Sequence, residues 1–265
     1  MKVLIFGSNG MLGRYVKTYL QDKYDLISLT RNDLDLSKST EEGILSFLFE
    51  NTKRGDVIIN ASGVIKQRNK NVCKGDVILN ASGLIKQRKS KAIEMIKVNS
   101  LFPQILANFK TNIECEVIHI TTDCVFNGIR GSYHETDAHD CCDVYGKSKS
   151  LGESPINTNI RTSIIGEELA NKLSLVEWIL SMEGRSIDGF HNHIWNGVTC
   201  LELAKLIHKM IEGDNFWSGT RHVFSPDNIS KLRLIEAVTQ VYGLKIDIKK
   251  VDSQNNCFRN LSSDG

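Results

Sequence analysis

Tyr145 and Lys149 stand four residues apart, so on a helix they share one face, and that pairing suits proton transfer. A tyrosine hydroxyl with a pKa of about 10 is a poor proton shuttle at neutral pH, but a nearby ammonium favours its phenolate. A hydroxyl residue at the end of the preceding strand can hold a substrate carbonyl or alcohol oxygen beside such a pair. The run Val117 to Ile120 reads as that strand, and it leads into Thr121 and Thr122. The chemistry this suggests is reduction of a carbonyl or its reverse.

Such residues need a sheet and a cofactor beside them. Lys2 to Phe6 is a continuous β-prone run of the kind buried on both faces in a parallel sheet. Gly7, Gly10 and Gly13 follow in a G-x-x-G-x-x-G pattern that opens a helix from Met11 to about Gln21. The first glycine allows a sharp turn, the second lets the backbone approach a pyrophosphate, and the third lets helix pack on sheet. A dinucleotide site is expected here. Arg31, directly after a second strand at Leu26 to Leu29, favours a 2′-phosphate, so NADP(H) is the expected cofactor and NAD(H) ranks second. The residues expected at the cofactor are Gly7, Asn9, Gly10, Met11, Leu12, Gly13, Arg31, Asp35, Asn80, Ala81, Ser82 and Asn99.

The chain has 265 residues with 41% hydrophobic and 24% charged, enough for an ordinary core, which excludes disordered, collagen-like and disulfide-stapled classes. A formal charge of +2 gives no surface for tracking phosphates, so nucleic acid is not an expected partner. The densest basic group, Lys86, Arg88, Lys89 and Lys91, reads as a solvated loop. No apolar stretch approaches the ~18 residues of a membrane span, so a cytoplasmic location is expected. Seven cysteines without a C-x-x-C pair read as free thiols, and no metal site is expected.

Residues 51–68 and 71–88 are identical at 13 of 18 positions, a tandem copy at an offset of 20. Each copy carries one strand, Val57 to Asn60 or Val77 to Asn80, ending in Asn-Ala-Ser-Gly. Small residues at such a strand end leave room for a ribose and a nicotinamide. One copy is expected to enter the sheet and the other to form an added edge strand or a loop.

Several motifs together resemble the extended short-chain dehydrogenase/reductases, and most of all the dTDP-4-dehydrorhamnose reductase family. They are the glycine loop, the T-D-x-V-F segment at Thr122 to Phe126, and Gly131, Tyr133, Glu135 and Asp137. The run Val144 to Glu153, Ile160 to Ser163, Asn196 to Thr199, and Arg259 to Ser263 complete the set. The resemblance implies a doubly wound parallel α/β sheet of Rossmann type with a small α/β substrate lobe. Residues 1–162, with 186–213 returning, would form the NADP domain, and 163–185 with 214–265 the lobe.

It further implies that Thr122, Tyr145 and Lys149 are catalytic, with Thr121 the adjacent alternative to Thr122. Asp123, Cys124, Arg161, Trp195 and Asn196 are the residues expected at the substrate. Hydride would pass from NADPH to C4 of a nucleotide-linked 4-keto-6-deoxyhexose, supplying a deoxysugar for a polysaccharide. Sugar-nucleotide 4,6-dehydratases carry an acid pair after the threonine, but here Asp123 is followed by Cys124, which disfavours dehydration. Cys124 also stands where these reductases usually have an aromatic. Two other readings stay open: a non-catalytic regulatory subunit of the same fold that binds NADP, and a bifunctional epimerase/reductase acting on a UDP-sugar. Beyond the nucleotide sugar, a second copy of the chain in a homodimer is the one partner kept open.

Overall fold

In the chain's first unit, apolar β-prone residues form β1 (Lys2–Phe6), and α1 (Met11–Leu20) returns along the sheet with Leu12, Val16 and Leu20 on its buried side. The computed structural model describes residues 2–50, 76–85, 90–112, 115–169 and 172–263. Next in the chain are β2 (Asp25–Leu29), α2 (Glu41–Glu50), β3 (Asp76–Asn80), α3 (Ala92–Ile96) and α4 (Phe102–Asn112). A π-helical turn, Lys97–Leu101, joins the last two. Pro103 has no N–H to give the carbonyl of Asn99 one turn back, which accounts for the widening.

Then come β4 (Cys115–Thr122), α5 (Val144–Gly152), β5 (Thr158–Thr162), β6 (Ile164–Ile165), α6 (Leu175–Leu180), β7 (Ser186–Phe190), β8 (His193–Trp195) and β9 (Val198–Thr199). The last third holds α7 (Cys200–Glu212), β10 (Gly219–His222), β11 (Ile229–Ser230), α8 (Lys231–Tyr242), β12 (Asp247–Val251) and β13 (Cys257–Phe258).

Among the described residues, β2, β1, β3, β4, β5 and β10 form one parallel sheet in that order. Helices cover both faces. On one, α1 and α7 bury Val16, Leu20, Leu203 and Ile207 against Val3, Ile5, Leu79 and Ile118. On the other, Phe102, Leu106 and Phe109 of α4 pack on Phe6 and Val117. The direction of winding reverses between β1 and β3, where the carboxyl ends Phe6 and Asn80 stand side by side. That reversal leaves a crevice, the usual ligand position in doubly wound sheets.

The strand between β1 and β4 comes from the second tandem copy. The first copy, with its expected strand at Val57 to Asn60, lies outside the described residues, as do residues 86–89 of the basic group. Two segments sit otherwise than in the expected division. The strand Gly219–His222, assigned to the lobe, instead pairs with β5 at the sheet edge. Residues 186–195, expected to return to the main domain, pair instead with lobe strands. There β7 lies along β12, and β8 lies between β11 and β13. Burial explains both: Ile187 joins Ile179 and Ile235 of α6 and α8, whereas His222 is buried beside Arg161.

Candidate active site

The glycine loop is shaped by close backbone contact. Gly7 adopts φ +71°, and Gly10 donates from its N–H to the Gly7 carbonyl at 2.8 Å. A Cβ on Gly13 would lie 2.1 Å from that same carbonyl oxygen, so only glycine lets α1 start this close to the strand. Gly10 caps α1 without a side-chain hydrogen bond, so the first N–H groups of the helix point at the cavity. Gly7 and Gly10 carry no side chain on this part of the cavity wall, and the residues present fit a dinucleotide pyrophosphate.

A cavity of about 810 Å³ extends from this loop to the ends of β4 and β5. Gly7, Asn9, Gly10, Met11, Leu12, Arg31 and Asp35 line one end, and Ala81 and Ser82 the middle. Thr122, Asp123, Cys124, Tyr145 and Lys149 line the other, with Trp195 of the lobe facing them. Beyond β2, Asp33 accepts from both the N–H and the hydroxyl of Thr30 at 2.7 Å. These bonds hold its carboxylate in its own turn, below its ordinary pKa. Arg31 is exposed beside that turn, on the cavity wall.

The chemical end is built by strand alternation and one helix. Thr122 ends β4, and its Oγ1 accepts from the Cys124 N–H at 3.2 Å while lying 3.1 Å from Asp123 Oδ1. Thr121 points the other way and donates to Glu153 at 2.8 Å, which leaves Thr122 as the hydroxyl at Tyr145. α5 starts at Val144 because the Asp143 side chain caps it, accepting from the Gly146 N–H at 2.9 Å. Tyr145 and Lys149 then project from adjacent turns.

Lys149 is buried and donates from Nζ to the Ile120 carbonyl at 3.1 Å. Burial holds its pKa down to about 8, against the opposing charge of Glu153. Burial raises the Tyr145 hydroxyl well above its ordinary value, with Cys124 adding to the effect and the Thr122 hydrogen bond opposing it. The phenolate expected from the lysine is therefore not the favoured form, because desolvation of the hydroxyl dominates. Burial likewise raises Asp123, against the pull of Arg259.

Five expected residues stand off the cavity wall. Gly13 packs on Gly7. Asn80 is fully buried and pairs with His119 Nδ1 at 3.1 Å. Asn99 bonds the backbone N–H and carbonyl of Leu84, both at 2.9 Å, and so shapes the loop after β3. Arg161, expected at the substrate, is instead enclosed. It pairs with Glu153 at 2.6 Å, donates to His139 and His222, and lies over the Phe126 ring. Asn196, also expected at the substrate, instead bonds both backbone groups of Leu261 and ties down the carboxy-terminal segment. Each has its polar groups satisfied within the protein, which is why neither faces the cavity.

Sequence reasoning missed Gly83, Ser163, Lys231 and Arg259 as wall residues. Gly83 carried a signal as the last residue of the Asn-Ala-Ser-Gly strand end. A Cβ there would lie 3.2 Å from Lys149 Nζ. Ser163 accepts from the Trp195 indole N–H at 2.8 Å, which joins lobe to sheet. Arg259 lay in the closing motif, while Lys231 had no local signal.

Among the described residues no helix is long and apolar enough to cross a membrane. Comparison with known proteins agrees with the fold. Residues 74–256 match the family described as RmlD substrate binding domain. A dTDP-4-dehydrorhamnose reductase of Aggregatibacter actinomycetemcomitans is 27% identical over 237 residues, 83% of this chain and 72% of that protein. The crystal structure of dTDP-4-dehydrorhamnose reductase from Bacillus anthracis in complex with NADP superposes with a TM-score of 0.76 at 19% identity, covering 99% of this chain and 89% of that one. The reductase structure from Clostridium acetobutylicum gives 0.74 at 21% identity, covering 99% and 89% of the two chains. With a parallel sheet wound on both sides of a switch point and a family match over most of its length, the chain belongs to the RmlD family of extended short-chain dehydrogenase/reductases.

Proposed function

We propose that this protein is an NADPH-dependent reductase acting on the C4 ketone of a nucleotide-activated 4-keto-6-deoxyhexose, with a role in making a polysaccharide sugar. The observation that carries this reading is the single cavity with the glycine loop at one end and Thr122, Tyr145 and Lys149 at the other. The relative from Aggregatibacter is named for this reaction, and a spore coat polysaccharide biosynthesis protein of Bacillus subtilis is 27% identical over 169 residues. The exposed Arg31, beside a committed Asp33, supports NADP over NAD, since its guanidinium can meet a 2′-phosphate.

When bound, NADPH supplies the hydride that reduces the ketone carbon. Tyr145 keeps its proton at neutral pH because burial disfavours the phenolate, so it is suited to protonate the oxygen that becomes the alcohol. Lys149, still largely charged at pH 7, stabilises the negative charge that develops there. Thr122 steers the same oxygen, held by the Cys124 N–H on one side and Asp123 on the other. The Trp195 indole, fixed by Ser163, closes the lobe side and helps exclude water.

Incubating the protein with NADPH and a panel of dTDP- and UDP-4-keto-6-deoxyhexoses tests the reading through loss of the nicotinamide absorbance. Turnover with at least one member is the expected result. Tight NADPH binding with no turnover on any substrate would favour the non-catalytic regulatory reading instead.

A further inference from the structure

His119 is a titratable side chain that the proposed chemistry leaves without a task. It lies within β4, fully enclosed, with Asn80 of β3 as its cross-strand neighbour. The backbone N–H of Ser82 donates to Asn80 Oδ1 at 3.0 Å, which fixes the amide with its oxygen toward Ser82 and its amino group toward the ring. At 3.1 Å the amide therefore donates to His119 Nδ1, and a neutral ring whose Nδ1 accepts carries its proton on Nε2.

Burial, followed by the charge of Lys149 on α5, holds the His119 pKa well below its ordinary value, so Nδ1 keeps its lone pair. Among the described residues, Nε2 has no hydrogen-bond partner. A buried N–H without an acceptor costs stability, and a leucine would fill a similar volume without that cost. Packing therefore does not explain a histidine here. Its one satisfied ring atom is Nδ1, and what that atom does is hold Asn80.

Asn80 in turn sets the start of Ala81, Ser82 and Gly83, which line the cavity. On one side these residues abut the glycine turn: a Cβ on Gly7 would lie 3.2 Å from the Ala81 carbonyl oxygen and 3.3 Å from Ser82 Oγ. On the other, a Cβ on Gly83 would lie 3.2 Å from Lys149 Nζ. Asn99 secures the far end through both backbone groups of Leu84. Releasing Asn80 would free the near end, and the wall between the glycine turn and Lys149 would shift.

We infer that His119, accepting at Nδ1 and acting through Asn80, is a positioning residue that sets the wall at Ala81, Ser82 and Gly83 for the dinucleotide. The inference rests on the proposed dinucleotide reading of the cavity and adds to it a residue that does not itself line that cavity.

Two substitutions separate this from a packing role. His119→Asn puts a carbonyl oxygen where Nδ1 branches from the side chain and can still accept from Asn80, but it leaves space in the interior; His119→Leu fills that space and cannot accept. By titration calorimetry, NADP⁺ affinity is expected to fall about tenfold in His119→Leu and to stay within about threefold of the parent in His119→Asn. Thermal stability should run the other way, with His119→Leu the more stable of the two. A packing role would give the same order in both measurements, and that result, or unchanged affinity in His119→Leu, would overturn the assignment. In the unaltered protein, the assigned nitrogen NMR signals of the His119 ring should show a proton on Nε2 and none on Nδ1 from about pH 5 to about pH 8. A proton on Nδ1 would overturn the assignment whether or not either variant folds. None of these readouts needs turnover. A parent that binds NADP⁺ as well as His119→Leu does sinks the His119 role alone, whereas a parent that binds neither NADP⁺ nor NAD⁺ overturns the cofactor reading and this role with it.

Discussion

Arg161 and Glu153 form an ion pair at 2.6 Å with both side chains almost wholly out of solvent. The carboxylate also accepts from Thr121, and the guanidinium also reaches His139 and His222, so the pair ties α5, β4, β5 and β10 together. Removing one partner strands the other charge inside the protein. Glu153→Gln should therefore destabilise the fold by about 3–5 kcal/mol. Thermal and urea unfolding would measure it, and a variant as stable as the parent would contradict this account. At a temperature where it stays folded, its KM for substrate should change little, because Arg161 does not reach the cavity.

Tyr145→Phe removes the hydroxyl proposed as the proton donor and leaves the glycine loop unaltered. Its kcat should drop by about 10²–10⁴-fold, while NADPH affinity measured by nicotinamide fluorescence stays near that of the parent. Turnover within a few-fold of the parent would rule Tyr145 out as the donor.

In its proposed role Lys149, held down to about 8 by burial, would set a pH limit on reduction. Below that pH it is an ammonium and can stabilise the developing oxyanion; above it the charge is lost. The profile of kcat should therefore fall as pH rises through about 8, earlier than an ordinary lysine near 10.4 would allow. Lys149→Met should abolish that limb along with most of the activity. A parent profile that stays flat to pH 10 would exclude this role.

Arg31 should decide between the two dinucleotides. Arg31→Ala is expected to weaken NADPH by about tenfold or more while leaving NADH nearly unaffected, since one charge-assisted contact to the 2′-phosphate is removed. Equal effects on both cofactors would show that Arg31 does not meet that phosphate.

Deleting residues 51–70 should leave the enzyme folded and active. The sheet takes its strand between β1 and β4 from Asp76–Asn80, and the cavity uses Ala81, Ser82 and Gly83 that follow it. The deletion keeps that whole second copy. Circular dichroism and the NADPH assay would check this, and an unfolded product would show that the first copy is needed.

The glycine loop and the Tyr145–Lys149 pair were legible in the chain because each depends on contacts within a few residues. The turn geometry of Gly7 and the one-turn spacing on α5 need no distant partner to be recognised. Family resemblance extended that reading to the sheet and the reduction.

Arg161 and Asn196 were not legible, since their partners lie 8 to 65 residues away and meet only after β5, β10 and the last segment have packed. The protonation of Tyr145 belongs to the same class. Spacing indicates that an ammonium is near, but burial depth decides whether attraction or desolvation dominates. The near-identical tandem copies make the contrast sharpest. The duplication and the strand in each copy could be read directly from the residues, whereas the strand that enters the sheet was decided by pairing with β1 and β4, a choice made by hydrogen bonds across the chain rather than along it.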